Sequence, residues 1–427
     1  MNDNFKNKLL LWKAFLLCGI LATIILSLLV LNSIFIMLLL ATWFFEGGLK
    51  EKWTLLRNDK LFLAYAIYFF VQFFLAMLNN HGFYQGWCAI EGKLALLVLP
   101  IIFCSSSFVS DQLRRKVMVV ITLLLTAASL YCLVTNLIQF GKTGEKDLFF
   151  YHKLVSAINQ HAVYFSVYIF ICLVFLMNEG IKVRFLHRNA WLMWLWMGYL
   201  TGFVILLSSK MVLIVLFFYA IYTIFYHFLK RYKRKAAAIA AISLGVMVSM
   251  ILVINNPIKS RFKDIMATHV SSLEEKQFKP LDYFNGLEFR LLLWRFTYEI
   301  LRDNRAFITG VGPANAQDFL VKKYISMNMY QGDKKAGRPG YLAYNCHNQF
   351  LQAALQSGII GLVAFVFWCG AILVKTIRRN NPVLSWMMLI IFVFFLSESV
   401  FERQYGIILC TFFPLLFLYP ESKVESS

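Results

Sequence analysis

Apolar residues in this 427-residue chain run in long blocks instead of alternating with polar ones. A helix needs about 20 apolar residues to span the hydrocarbon core of a bilayer, so blocks of that length predict crossings. They fall near 10–28, 31–46, 61–79, 91–109, 117–139, 161–178, 190–208, 211–229, 236–256, 349–374, 383–398 and 403–420. Two pairs nearly fuse: 10–46 divides between Leu28 and Ser33, and 190–229 divides at Ser208, Ser209 and Lys210. Each is too long for one crossing and predicts a tight helical hairpin; the 383–398 block is short. The pattern predicts an all-α polytopic membrane protein of about twelve transmembrane helices. Helices one to nine occupy 1–256, a long loop 257–348, and helices ten to twelve with a short tail 349–427.

Composition agrees with that reading. The chain is 60% apolar and 15% charged, whereas soluble domains carry about a quarter charged residues. A soluble enzyme, a coiled coil and a disordered tail are excluded. The net charge of +20 would suggest nucleic acid in a soluble protein, but basic residues also gather in cytoplasmic loops of membrane proteins. Here Lys6, Lys8 and Lys13 precede the first span. Further clusters at Lys50–Lys60, Arg114–Lys116, Lys182–Arg188, Lys230–Lys235 and Lys375–Arg379 all follow even-numbered spans. With Lys423 they account for 22 of the 42 basic residues. Both termini are therefore expected in the cytoplasm, and nucleic acid drops out as a partner. Most of the eight cysteines fall in apolar runs, with no zinc-ligand spacing. Cys88 and Cys346 share the outer side, which leaves a disulfide between them open.

The outer side holds the excess positive charge. Residues 257–346 carry 14 Lys and Arg against 9 Asp and Glu, which suggests an anionic ligand; an ordinary solvated loop is the alternative. Within it, 286–302 has helical period, with Leu287, Leu291, Trp294, Tyr298 and Leu301 on one apolar face. Arg295 and Glu299 stand at i,i+4 on a charged stripe that also holds Glu288 and Arg302. Arg290 lies away from that stripe among apolar neighbours, so it needs an anion or must snorkel. Gly310-Val311-Gly312-Pro313 reads as a turn, and the basic stretch 327–342 as a loop that leaves a lid role open.

His347 stands at the mouth of span ten. Asn348, Gln349, Gln352 and Gln356 follow it into the apolar run, and Gly358 and Gly361 allow another helix to approach. A carboxamide stripe entering a membrane helix implies a polar cavity, and amides match the donors and acceptors of sugar hydroxyls. Lys93 beside Glu91, His161 beside Asn159 and Gln160, Lys210, and Arg403 beside Glu398 and Glu402 lie at the same level. Each singly reads as an interface anchor. Together they place four cations (Lys93, Lys210, Arg290 and Arg403) and two imidazoles on one side, suited to phosphate oxygens. The chain has no DxD, HExxH or GxSxG motif, and no GK[ST] follows the Gly310–Pro313 turn, so no metal and no cofactor is expected. Cys346 beside His347 is not read as a dyad.

These residues resemble the O-antigen ligase/polymerase superfamily of GT-C type membrane glycosyltransferases. The strongest stretch is Asn345 to Gln352, followed by Gly358 and Gly361, similar to that family's H-N-x-x-L-Q and G-x-x-G. Phe289-Arg290 with Trp294, Glu91-Gly92-Lys93, His161 to Ser166 and Glu398 to Gly406 add to it. The resemblance implies a GT-C-like bacterial inner-membrane enzyme with a partly helical periplasmic loop. It would move a glycan from undecaprenyl diphosphate to a sugar hydroxyl of lipid A–core, inverting the anomeric centre without metal. It implies His347 as general base or orienting group and Arg290 as a ligand of the leaving diphosphate. Lys93 and Lys210 become further donor contacts, although Lys210 departs from the Ser-Arg of many members and offers only a point charge. Arg295, Arg403, His161, Asn348 and Gln352 complete the expected substrate-binding set. A polymerase or a transferase to protein serine shares the donor and the fold. A lipid-linked glycan transporter is the rival from another class, and paired helices broken by Gly or Pro would be its mark.

Overall fold

A computed structural model describes residues 3–78, 82–106, 108–229, 274–279, 284–333 and 338–419, with isolated positions at 235, 238, 239, 241–243, 245 and 282. The expected ninth span falls largely outside the described residues. So do most of the 230–235 basic cluster, residues 257–273 and the tail from 420.

The described chain is helical apart from a two-residue ladder pairing Gly332 with Pro339 and Asp333 with Arg338, inside the basic stretch 327–342. Among the described residues six helices are long and apolar enough to cross a bilayer: Asn7–Ile25, Lys60–Met77, Asp111–Thr143, Ala162–Lys182, Ala190–Leu207 and Gln349–Arg379. Two bent pairs, Leu29–Phe45 with Leu49–Asn58 and Phe83–Glu91 with Ala95–Cys104, raise the number to eight. The expectation of twelve was drawn from apolar content alone. Lys210–Tyr226, Pro382–Phe395 and Gln404–Leu418 are apolar helices at predicted places, but they rise only about 21–26 Å at 1.5 Å per residue.

The chain divides into two compact units. The first comprises Met1–Leu38, Ser110–Lys263 and Asn381–Ile390. At its centre stands the Ala162–Glu179 helix, apolar all round and buried almost throughout, as expected of a helix with no solvent or lipid face. Helices one and two close tightly at Gly19, where an added Cβ would strike the Phe35 ring at 2.4 Å. Arg114 reaches both oxygens of buried Glu179 at 3.0 and 3.2 Å, pairing charges that burial would otherwise penalise.

The second unit comprises Leu39–Val109, Asp264–Asn380 and Ile391–Ser427. Lys60–Met77 packs along Gln349–Arg379, with Tyr65 against Trp368 at 5.3 Å and Tyr68 against Phe365 at 5.6 Å. An ion pair of 2.7 Å between Asp59 and Lys375 holds the ends of these helices level. The segment between the apolar blocks, from 284 to 329, has its own core. Phe289, Leu292, Leu293, Phe296 and Ile300 of the Gly286–Asp303 helix pack with Leu320 and Tyr324 of Ala316–Ser326. The helix is where its period predicts, and Asn285 caps it through a reciprocal bond with Glu288. Of the apolar face read from its period, Leu287 and Tyr298 are exposed and Leu301 is buried. The helix carries two apolar faces, and period alone does not tell which one meets protein.

Span ten is broken. Gly358 has φ 59° and ψ −155° inside the Gln349–Arg379 helix, and the segment 307–312 fills the gap. Val311 and Gly312 donate to the carbonyls of Leu355 and Gln356 at 2.9 and 3.0 Å, while Ile359 and Ile360 donate to Phe307 and Ile308 at 2.8 and 3.4 Å. The close partner expected at the G-x-x-G is thus a turn of backbone, not a helix. Gly310 (φ 70°) and Gly358 approach so closely that a Cβ on either would lie 2.4 Å from Ser357 N or 2.2 Å from Ile308 O.

Gly358→Ala should therefore lower stability by about 2–5 kcal/mol, combining left-handed strain with overpacking. Gly370→Ala, where an added Cβ meets nothing within 4 Å, should be close to neutral; thermal unfolding in detergent followed by intrinsic fluorescence compares them. A second outcome concerns Glu299, bonded to Lys323 at 2.6 Å and Arg295 at 2.7 Å. Burial pushes its carboxyl up, but the two cations outweigh burial and hold it below the usual range. A lowered folded-state value stabilises above the unfolded carboxylate value of about 4.3 and is lost as pH falls through the folded one. Between neutral pH and about pH 3 the thermal midpoint of the wild type should fall toward that of Glu299→Gln, which lacks this titration.

Candidate functional site

His347 is set by the turn that precedes span ten. Its backbone is left-handed (φ 46°), a conformation unusual for a non-glycine residue and one often found at functional positions. The Asn345 side chain accepts from the His347 N–H at 3.1 Å and closes the turn. Asn348 then caps the helix, its Oδ1 accepting from Phe350 and Leu351 at 2.9 and 3.1 Å. Asn348 is thus committed to the backbone by N-capping.

The turn aims the imidazole at a carboxylate that sequence spacing does not connect with it. His347 Nδ1 lies 3.0 Å from Glu398 Oε2, and the other oxygen, Oε1, lies 3.6 Å from the Arg290 guanidinium. Arg290 also donates to the carbonyls of Ser397 (3.2 Å) and Gly286 (2.9 Å). All three side chains are partly buried. A carboxylate accepting at Nδ1 fixes the tautomer that leaves the Nε2 lone pair as the basic position. Arg290 was expected to meet an anion, and its first anion is Glu398.

The same short segment carries a second carboxylate. Lys93 lies 2.8 Å from Glu402 and 3.1 Å from Gln356 Oε1, and Gln356 donates to Glu402 at 3.0 Å. Lys93 is buried, so its charge is already balanced in this structure. The amide stripe is likewise engaged. Gln349 Oε1 accepts from the Phe401 N–H at 2.8 Å, and Gln352 Oε1 accepts from the Cys346 N–H and the Ser399 hydroxyl, each at 3.3 Å. These amides knit span ten to 397–403, instead of lining a cavity with their carbonyl oxygens free. Arg295 is held by Glu299 at 2.7 Å and by the Glu275 carbonyl at 2.8 Å. Arg403 is exposed, with no side-chain partner among the described residues.

His161 and Lys210 belong to the first unit. His161 lies against the His152 ring (centroids 4.5 Å apart), and Lys210 opens the Lys210–Thr223 helix. The second unit therefore gathers His347, Arg290, Gln352 and Lys93 around segment 397–403, with Asn348 capping the helix beside His347. Glu398 and Glu402 are carboxylates whose partners, His347 with Arg290 and Lys93, the spacing did not reveal. Two acids four apart at the end of an apolar run, each needing a cation or donor nearby, were the available signal.

Residues 195–366 match the family model described as O-antigen ligase. The match supports the O-antigen ligase family for this chain and, more broadly, the ligase/polymerase superfamily of glycosyltransferase-like membrane enzymes. Arg290, His347 and Gln352 fall inside the matched stretch, while Lys93, Glu398 and Glu402 fall outside it. No curated protein matches the chain.

Cys346 takes no part. It is buried with its thiol bonded to the Thr297 hydroxyl at 3.3 Å, and Cys88 is exposed and unbridged. Burial pushes the Cys346 thiol up to about 12, far from the thiolate a nucleophile requires. N-ethylmaleimide should label Cys88 in the folded protein and leave Cys346 unmodified until denaturation, as peptide mass spectrometry would read.

Proposed function

We propose that the chain is an O-antigen ligase of the inner membrane, transferring a glycan from undecaprenyl diphosphate to a lipid A–core sugar hydroxyl on the periplasmic face. The observation that carries this reading is the carboxylate shared between His347 Nδ1 at 3.0 Å and Arg290 at 3.6 Å. A neutral imidazole with Nδ1–H held by Glu398 has Nε2 free to accept the acceptor's hydroxyl proton. As that proton moves, the acceptor oxygen bonds to the anomeric carbon, and the bond from that carbon to the diphosphate oxygen breaks. The diphosphate leaves with the bonding pair, and one displacement inverts the anomeric centre. Glu398 stabilises the imidazolium that forms, as the acid of a catalytic triad does. Arg290, with part of its guanidinium exposed, supports the charge growing on the leaving group. Arg403 is assigned to the carrier and the glycan, and Lys93 acts through Glu402.

This chemistry uses protein cations where other transferases use a metal, so the reaction should proceed in EDTA. Purified protein would be given an undecaprenyl diphosphate glycan and lipid A–core. His347→Ala and Arg290→Ala should abolish transfer. Glu398→Gln should lower kcat by about 10²–10⁴-fold, the range for losing a general base or its orienting acid. Full activity in His347→Ala would overturn the mechanism. Polymer on the carrier with an unmodified acceptor would identify a polymerase, glycan on protein serine a protein transferase, and no chemistry with any acceptor would point to transport.

A further inference from the structure

The turn that fills the break in span ten lies at a depth where a solvent loop would not be. From Lys375, paired with Asp59, the helix rises about 25 Å to Gly358, less than the roughly 30 Å hydrocarbon core. The neighbouring helix gives an independent measure. Gly312 sits against the Leu75 carbonyl, with a built Cβ 3.9 Å from that oxygen, and Leu75 lies inside the apolar Lys60–Met77 helix. From Lys60 to Leu75 the rise is about 22 Å.

The side chains at this level are apolar and uncovered. Phe307 is 45% and Ile308 66% exposed, and their backbone partners Ile359 and Ile360 are 51% and 43% exposed. Val363, one turn along the same helix, is 59% exposed. The stripe on a helix long and apolar enough to span thus continues without interruption onto the turn. On the other side the Phe307 ring meets Tyr298 at 5.9 Å, and an exposed tyrosine beside a buried-depth aromatic suits the membrane interface.

Irregular backbone is tolerated at membrane depth only when its polar groups are satisfied by protein. Here the turn and the broken helix satisfy each other through four bonds of 2.8–3.4 Å. The geometry points to a re-entrant turn, residues 307–312, inserted into the leaflet opposite the Lys375 end, with Phe307 and Ile308 in contact with acyl chains of the bilayer. The outer segment is anchored in lipid at that point, which holds the helix carrying Arg290 against the membrane. This inference stands on depth and exposure, independently of the reaction proposed above.

Site-directed spin labelling of the full chain in lipid nanodiscs tests it, with Ile308→Cys as the probe. Arg302→Cys, on the exposed end of the Gly286–Asp303 helix, is the aqueous reference, and unsubstituted protein labelled in parallel subtracts native thiols. At 308 collisions with oxygen should exceed those with a water-soluble nickel complex several-fold, and at 302 the order should reverse. Phe307→Cys should repeat the result for 308, which guards against a single label displacing the turn. Nickel accessibility at 307 and 308 equal to that at 302 would overturn the insertion. Shielding from both reagents would overturn it too, since the positions would then be covered by protein or by a bound polyprenyl chain.

Discussion

The second unit depends on one exchange of backbone hydrogen bonds. A helix interrupted at Gly358 leaves carbonyls at 355 and 356 and amides at 359 and 360 without intrahelical partners, and segment 307–312 supplies all four. Unmatched polar backbone in a low-dielectric setting costs several kcal/mol per group, so the break and its filling are a single feature. The two left-handed glycines make it sterically possible, each standing where the other's backbone would meet a side chain.

That exchange also orders the site. It fixes the Gly286–Asp303 helix relative to the first turns of Gln349–Arg379, and these two elements carry Arg290 and His347. The 397–403 segment is then tied to the same first turns through Gln349, Gln352 and Gln356. Glu398 reaches His347 and Arg290 from a loop held at several points, which favours a fixed imidazole tautomer. Polar residues that looked like a sugar-binding stripe fasten the segment that carries Glu398.

The apolar helices were legible because hydropathy in blocks of about 20 residues survives any tertiary detail, and His347 and Arg290 stood out as candidates because polar groups at a membrane boundary require a reason. Three things were not. The pairing of His347 with Glu398 joins residues 51 positions apart, and nothing local encodes it. Gly358 and Gly361 read as a helix-packing motif, since a glycine that breaks a helix and one that admits a neighbour look alike in sequence. The face of the Gly286–Asp303 helix that meets protein could not be read, because Phe289, Leu292, Leu293 and Phe296 form a second apolar stripe beside the expected one.

The interlocked break has a consequence for biogenesis. A membrane helix is usually regarded as complete on insertion, with packing against its neighbours a later stage. Span ten cannot follow that order, because its own ladder lacks bonds that only residues 307–312 provide. Those residues precede it in the chain and leave the ribosome first. The plug is thus made before its socket, and the helix finishes its secondary structure only by capturing a segment already synthesised.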